Sequence, residues 1–308
     1  MRLRLILLAL LAAALMAGCA GAPTATEPPA GQAPTAARTP ATPNSAVTPL
    51  PTAIPATPTP TALPAALKVN GEIVALAEYQ AALKQIGEAQ PGLSPTEQRK
   101  RVIAELVDQT LLAQAAFKAG FSLDETALRA RIDKLAEQAG GPAALADWQT
   151  RMGYSPESFQ LALRRAAAAA WQRDQIMAGV PAEMEQIHAR QILVQSAEAA
   201  ARAEQQSKQA GTDFATLAFG YDLKTGGDLS WFPRGYLNEP AVEEAAFALQ
   251  PGQISPVIKS NIGYHILQVI ARQVRPLSPD ARLALQRKAL AAWLADARQQ
   301  SQVEELVP

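Results

Sequence analysis

The sequence predicts an α+β chain: an all-α module of N-terminal helices, a smaller domain of helices on a small antiparallel sheet, and one further helix. Three observations carry this. Through residues 76–178 apolar side chains recur at helical spacing, in segments opened by Ser-Pro or Ser-x-x-Glu and closed by glycine. Residues 187–194, 229–232, 257–259 and 264–270 are short apolar runs bounded by turn-forming residues, with helical segments interposed. Ser278-Pro279-Asp280 then caps a last helix carrying Leu283, Leu290, Trp293 and Leu294, which is expected to continue towards Val303.

Composition excludes several classes. The 28 basic and 28 acidic residues cancel to +0, so no global field favours nucleic acid or an acidic partner. The single cysteine, Cys19, rules out an internal disulfide framework and a cysteine-clustered metal site, and with only His188 and His265 no all-histidine metal site is expected.

Residues 1–19 read as a secretory signal, with arginines at 2 and 4, an apolar run from Leu5 to Leu15, and Met16-Ala17-Gly18-Cys19 at the cut. The run is too short for a membrane span. Ala-Gly-Cys resembles the lipobox of bacterial lipoproteins, with Met16 in the place where that motif usually has Leu. The resemblance implies that Cys19 is diacylated and anchors the mature chain to a bilayer. Residues 20–66 are Pro, Thr and Ala, holding roughly half of the 24 prolines. Such a segment buries too little apolar surface to offset its ordering entropy, so it is expected to be a disordered tether. Fully extended, it reaches on the order of 140 Å.

The helical module is expected over 67–182. Val69-Asn70-Gly71-Glu72-Ile73-Val74 is a short extended run around an Asn-Gly turn, and helical spacing follows from Leu76 to about Ile86. Ser94-Pro95-Thr96-Glu97 is a capping box for a helix with Val102, Ile103, Leu106, Val107, Thr110, Leu111 and Ala115 on one face, stopping near Gly120. Ser122 with Glu125 opens the next helix, which ends at Gly140-Gly141, and Ser155-Pro156 opens one that ends around Gly179-Val180-Pro181. The aromatic residues and methionine here (Tyr79, Trp148, Met152, Tyr154, Phe159, Trp171) read as core, or alternatively as the lining of a groove for unfolded peptide. Val69-Asn70-Gly71-Glu72, Glu105-Leu106-Val107-Asp108-Gln109 and the break Lys118-Ala119-Gly120-Phe121-Ser122 resemble the N-terminal chaperone domain of SurA/PrsA-type extracytoplasmic folding factors, over residues 68 to about 178.

The α+β domain is expected over 183–274. Ile187–Val194 reads as a strand, Ser196 caps an alanine-rich helix, and Thr212-Asp213 caps a short helix through Phe214 and Leu217. Gly226-Gly227 turns into the strand Leu229–Phe232, Pro240–Leu249 is a short helix, and two strands flank the Ser-Asn-Ile-Gly turn at 260–263. Ala189-Arg190-Gln191-Ile192-Leu193-Val194, Gly211-Thr212-Asp213-Phe214, Gly226-Gly227-Asp228-Leu229 with Trp231-Phe232, Glu244–Leu249, Pro251-Gly252-Gln253-Ile254-Ser255 and Gly263-Tyr264-His265-Ile266 resemble the parvulin family of peptidyl-prolyl isomerases.

That resemblance implies an activity that needs no cofactor and no nucleophile. The peptide-bond barrier is about 18–20 kcal/mol, and X-Pro cis and trans forms differ by only about 0.5–1 kcal/mol. A site acts by gripping the proline ring in an apolar pocket and stabilising the twisted amide with polar groups placed in advance. In the family two histidines, a Cys or Asp, and a Ser or Thr make the polar floor. Here His265 matches the second histidine, Ser260 the hydroxyl residue and Asp222 the Cys or Asp, while Gln191 replaces the first histidine. Leu237 takes the ring-pocket Met or Leu position and Val242 that of the aromatic wall, and Phe232 and Phe247 are further substrate-binding candidates. His188, three residues before Gln191 on a strand, is expected on the opposite face.

By the same resemblance residues 275–308 return as a helix to complete the chaperone domain, making the parvulin-like domain an insertion. The implied function is a membrane-anchored extracytoplasmic folding factor that binds unfolded or nascent exported polypeptides and isomerises X-Pro bonds. The alternatives are a peptide-binding lipoprotein with a silent parvulin domain and a structural envelope lipoprotein.

Overall fold

The computed structural model describes residues 63–307. The signal segment, Cys19 and nearly all of the Pro/Thr tether lie outside the described residues.

The first module begins with a hairpin, β1 (Ala65–Val69) and β2 (Glu72–Ala75). Asn70 and Gly71, both at positive φ (52° and 85°), make its turn, the backbone geometry that Asn-Gly adopts at low cost. Five helices follow: α1 (Leu76–Ala89), α2 (Pro95–Lys118), α3 (Glu125–Ala139), α4 (Pro142–Met152) and α5 (Pro156–Ala178). Ser94 and Glu97 form the reciprocal capping box that their spacing predicts. At α3 the cap is Asp124 and not Ser122, because the Asp124 carboxylate is the group that accepts the Ala127 N–H. Pro142, placed directly after the left-handed pair Gly140-Gly141, opens a helix that the sequence reading did not separate from its neighbours.

The second domain is a four-stranded antiparallel sheet in the order β4-β3-β6-β5, built from β3 (Glu183–Val194), β4 (Asp228–Pro233), β5 (Ile258–Ser260) and β6 (Gly263–Pro276). Helices α6 (Ala197–Ser207), α7 (Phe214–Tyr221) and α8 (Pro240–Ala248) cover it. Alternation along β3 sorts its side chains to two cores. Ile192 and Val194 join Ala203, Phe214 and Ala218 under α6 and α7. Ile187 and Ala189 join Phe232, Val242, Ala246 and Phe247 under α8. β3 and β6 stay paired to Glu183–Pro276, well past the sheet, as a two-stranded ribbon leading back to the helices.

The chain closes with α9 (Pro279–Gln299) and β7 (Val303–Glu305). The helix therefore does not continue to Val303. The chain turns at 300–302, and β7 pairs antiparallel with β1 to complete the sheet β2-β1-β7. Thus the helical module also holds a three-stranded sheet that helical periodicity does not announce. Leu290, Trp293 and Leu294 of α9 pack on Leu112, Ala116 and Ala168 of α2 and α5. Arg298 forks onto the Asp108 carboxylate. Among the described residues no helix is long and apolar enough to cross a membrane.

Candidate active site

Gln191 and His265 have the strand parity of Ala189 and Leu267, which places both on the α8 face of the sheet. Gln191 stands opposite Leu267, and His265 stands between Leu193 on β3 and Ile258 on β5. Ser260 ends β5 at the tight turn into β6. Gly263 is required in that turn, since a Cβ there would lie 2.6 Å from the Val194 carbonyl oxygen.

Three side chains are brought together. His265 Nδ1 is 2.9 Å from Gln191 Oε1, and His265 Nε2 is 2.7 Å from Ser260 Oγ. The Gln191 carbonyl oxygen only accepts, so Nδ1 carries the proton, and a neutral ring then accepts the Ser260 hydroxyl at Nε2. The Ile262 N–H donates to Ser260 Oγ at 3.1 Å and fixes that rotor. His265 is 2% exposed, and this burial lowers its pKa below the ordinary histidine value, with the Glu239 carboxylate opposing the shift. The result is a neutral imidazole of one tautomer.

The backbone around Gln191 is equally constrained. Its N–H donates to the Gly227 carbonyl at 2.8 Å, while a Cβ on Gly227 would come within 1.9 Å of the Gln191 carbonyl oxygen. With φ at +71°, position 227 admits only glycine.

Other expected site residues fall elsewhere. Asp222 is tied into its own turn, accepting from the Lys224 and Thr225 N–H groups and the Thr225 hydroxyl, and it makes no hydrogen bond to Gln191, His265 or Ser260. The Thr225 hydroxyl is the main cause of its lowered pKa. Phe232, Val242 and Phe247 are 0%, 2% and 4% exposed and form the core beneath α8, so they support the site from below and line no open surface. Leu237 packs on the same core and is only partly covered. His188 lies on the other face parity, bonded to Asp228 at 2.9 Å and against the Trp231 ring at 5.5 Å.

Two carboxylates near the site escaped the sequence reading. Glu239 accepts the Asn261 N–H at 3.3 Å, next to Ser260. Glu243 accepts the N–H groups of Gly235 and Leu237 at 2.7 and 3.0 Å, which fixes the turn that presents Leu237. An acidic residue in the first helical turn after Pro240 was the available signal, but it normally reads as a dipole partner of its own helix.

A family model for the PPIC-type PPIase domain matches residues 181–282, and one for the SurA-like N-terminal domain matches residues 61–160. The chain is of the SurA/PrsA type, with a parvulin domain. Among relatives of this SurA/PrsA-type chain, the foldase protein PrsA of Caldanaerobacter subterraneus subsp. tengcongensis is 28% identical over 253 residues, covering 68% of this chain and 74% of that one. The chaperone SurA of Dechloromonas aromatica is 33% identical over 145 residues, 40% of this chain. That match spans 33% of the SurA protein's own length. The solved PrsA peptidylprolyl isomerase of Bacillus cereus aligns with 70% of this chain and 81% of its own at 20% identity and a TM-score of 0.43.

Proposed function

We infer that this SurA/PrsA-type chain is a lipid-anchored extracytoplasmic folding factor, tethered by acylated Cys19, that binds unfolded or nascent exported polypeptides and isomerises their X-Pro bonds. The observation that carries the isomerase reading is the Ser260–His265–Gln191 relay, on the same sheet face as the core that Leu237 packs against. It is a rigid, neutral polar floor, as rotation about an amide requires. Gln191 supplies the acceptor that holds the His265 ring in one tautomer, the orienting task that this position needs.

The test is prolyl isomerisation by the full chain in mild detergent, beside Gln191→Ala and His265→Ala. Each variant is expected to lose about ten- to a hundredfold in kcat/KM, the effect of unpairing a buried polar group at about 1–3 kcal/mol. A parent that isomerises at the uncatalysed rate overturns the isomerase reading.

A second reading, a peptide-binding chaperone with a silent parvulin domain, draws support from the burial of Phe232, Val242 and Phe247, which leaves the proline ring no aromatic wall there. Client binding itself is supported by Phe117, 46% exposed at the end of α2 and in a ring cluster with Phe121 and Trp171. Suppression of client aggregation, weakened in Phe117→Ser, separates both chaperone readings from a purely structural lipoprotein.

A further inference from the structure

The segment Arg234–Glu239 joins β4 to α8 and carries Leu237, which packs on the core beneath α8, and Glu239, whose carboxylate acts on His265 and accepts the Asn261 N–H. Its backbone is held by two side chains. Glu243, inside the parvulin domain, takes the N–H groups of Gly235 and Leu237. Outside that domain, Lys288 Nζ donates to the Gly235 carbonyl at 2.5 Å and lies 3.4 Å from the Leu237 carbonyl.

Lys288 is not a parvulin-domain residue. It belongs to α9, whose Leu290, Trp293 and Leu294 pack on the helical module and whose Gln286 donates to the Met177 carbonyl at the end of α5. At about 100° per residue, Leu285 and Lys288 form a stripe apart from those contacts. Leu285 uses that stripe too, since a Cβ on Gly235 would lie 3.0 Å from its Cδ2. Among the described residues the ammonium hydrogen-bonds these two backbone carbonyls and no carboxylate. At the far end of the segment, Glu239 accepts the Asn261 N–H beside Ser260. A chain of contacts therefore runs from α9 through the 235–237 turn, Glu239 and Asn261 to the Ser260–His265 bond.

We propose that Lys288 is a positioning residue through which the helical module sets the placement of Leu237 and Glu239, so that the isomerase site responds to the state of the chaperone module. A client that shifts α9 against α2 and α5 moves the turn that completes the site. This deepens, and rests on, the isomerase reading given above.

The full chain is compared with Lys288→Met, which keeps the apolar stem and removes the donors, and with Lys288→Arg, which returns them. Amide exchange at Gly235 and Leu237, the Leu237 methyl and His265 ring resonances, and KM and kcat on an X-Pro peptide are read. In Lys288→Met the two amides exchange faster, the resonances move, and KM rises about three- to tenfold with kcat within about twofold, as loss of a hydrogen bond to the turn predicts. Lys288→Arg returns all three towards the parent. Unmoved resonances and unchanged exchange in Lys288→Met overturn the proposal whether or not the parent isomerises. Shifts spread over the whole domain with a fallen Tm overturn it as well, because they mark a merely structural lysine. An inactive parent defeats the isomerase reading alone, while exchange and resonances still decide the coupling.

Discussion

At His265, burial and hydrogen bonding act together, and the consequence is a definite dependence on pH. The ring's pKa lies below the ordinary histidine value of about 6.5 because burial disfavours the imidazolium. The unfolded chain therefore binds a proton at a higher pH than the native one does. The stability that this residue contributes is fully present above about pH 6.5 and is lost as pH falls through the lower native value. Activity has the same sign, since a protonated Nε2 cannot accept the Ser260 hydroxyl. A ring 15N titration of the folded protein is expected to show a midpoint below 6.5, with kcat/KM falling through that same midpoint. Gly227 supplies a second prediction at this scale. Gly227→Ala drives a methyl group into the Gln191 carbonyl at a positive φ, and denaturant unfolding is expected to show a loss of more than about 3 kcal/mol. Gly226→Ala should cost less, because its Cβ would meet only the Phe219 ring, at 3.5 Å.

At the scale of elements, the helical module is pinned by a buried ion pair. Arg165 of α5 reaches Glu78 of α1 at 2.5 Å with both side chains 7% exposed, and its other nitrogens meet Glu72 and the Ile73 carbonyl. Burial still raises the Glu78 pKa, with Arg165 opposing, so the carboxylate depends on this partner to stay ionised. Arg165→Met is expected to lower stability by about 3–5 kcal/mol, and Arg165→Met with Glu78→Met to recover much of it, as thermal unfolding would show. The pair explains what sequence could and could not disclose. Caps are local, so Ser94 with Glu97 and Ser155 with its proline were legible from spacing alone. Arg165 and Glu78 are 87 positions apart, and neither carries a periodic signature. β7 was hidden for a similar reason: three exposed residues, Val303, Glu304 and Glu305, form a strand only because β1 is there to receive them. The site divides the same way. Gln191, Ser260 and His265 could be located from motif positions and strand parity. The burial of Phe232, Val242 and Phe247 depends on how α8 lies on the sheet, and the grip of Lys288 depends on where α9 returns.

For the whole molecule, the decisive contacts join the two ends of the described chain. Val69 pairs with Val303, the Asn70 N–H donates to the Gln302 carbonyl, and Lys68 and Arg99 reach Glu304 and Glu305. The exposed ion pairs add little, about 0–1 kcal/mol each, so the strand pairing itself and the packing of Val307 on the first core are the stronger ties. Removing residues 300–308 is expected to lower the melting temperature of the helical module while the parvulin sheet keeps its own. In a Trp231→Phe background, which leaves tryptophans only at 148, 171 and 293, fluorescence is expected to report the first transition, and the exchange-protected amides of β3 and β6 the second.

The pairing of β1 with β7 also sets an order in time. Every strand and helix of the parvulin domain lies in one continuous segment between Glu183 and Pro276, whereas the first module must wait for residues more than 230 positions further along. Closing that long loop is entropically unfavourable until the intervening segment has become compact. A chain emerging from its amino end therefore completes the inserted domain while Leu112, Ala116 and Ala168 still lack their α9 cover and the β1 edge still lacks β7. The last part of the chain to be made is thus the part that completes the first module.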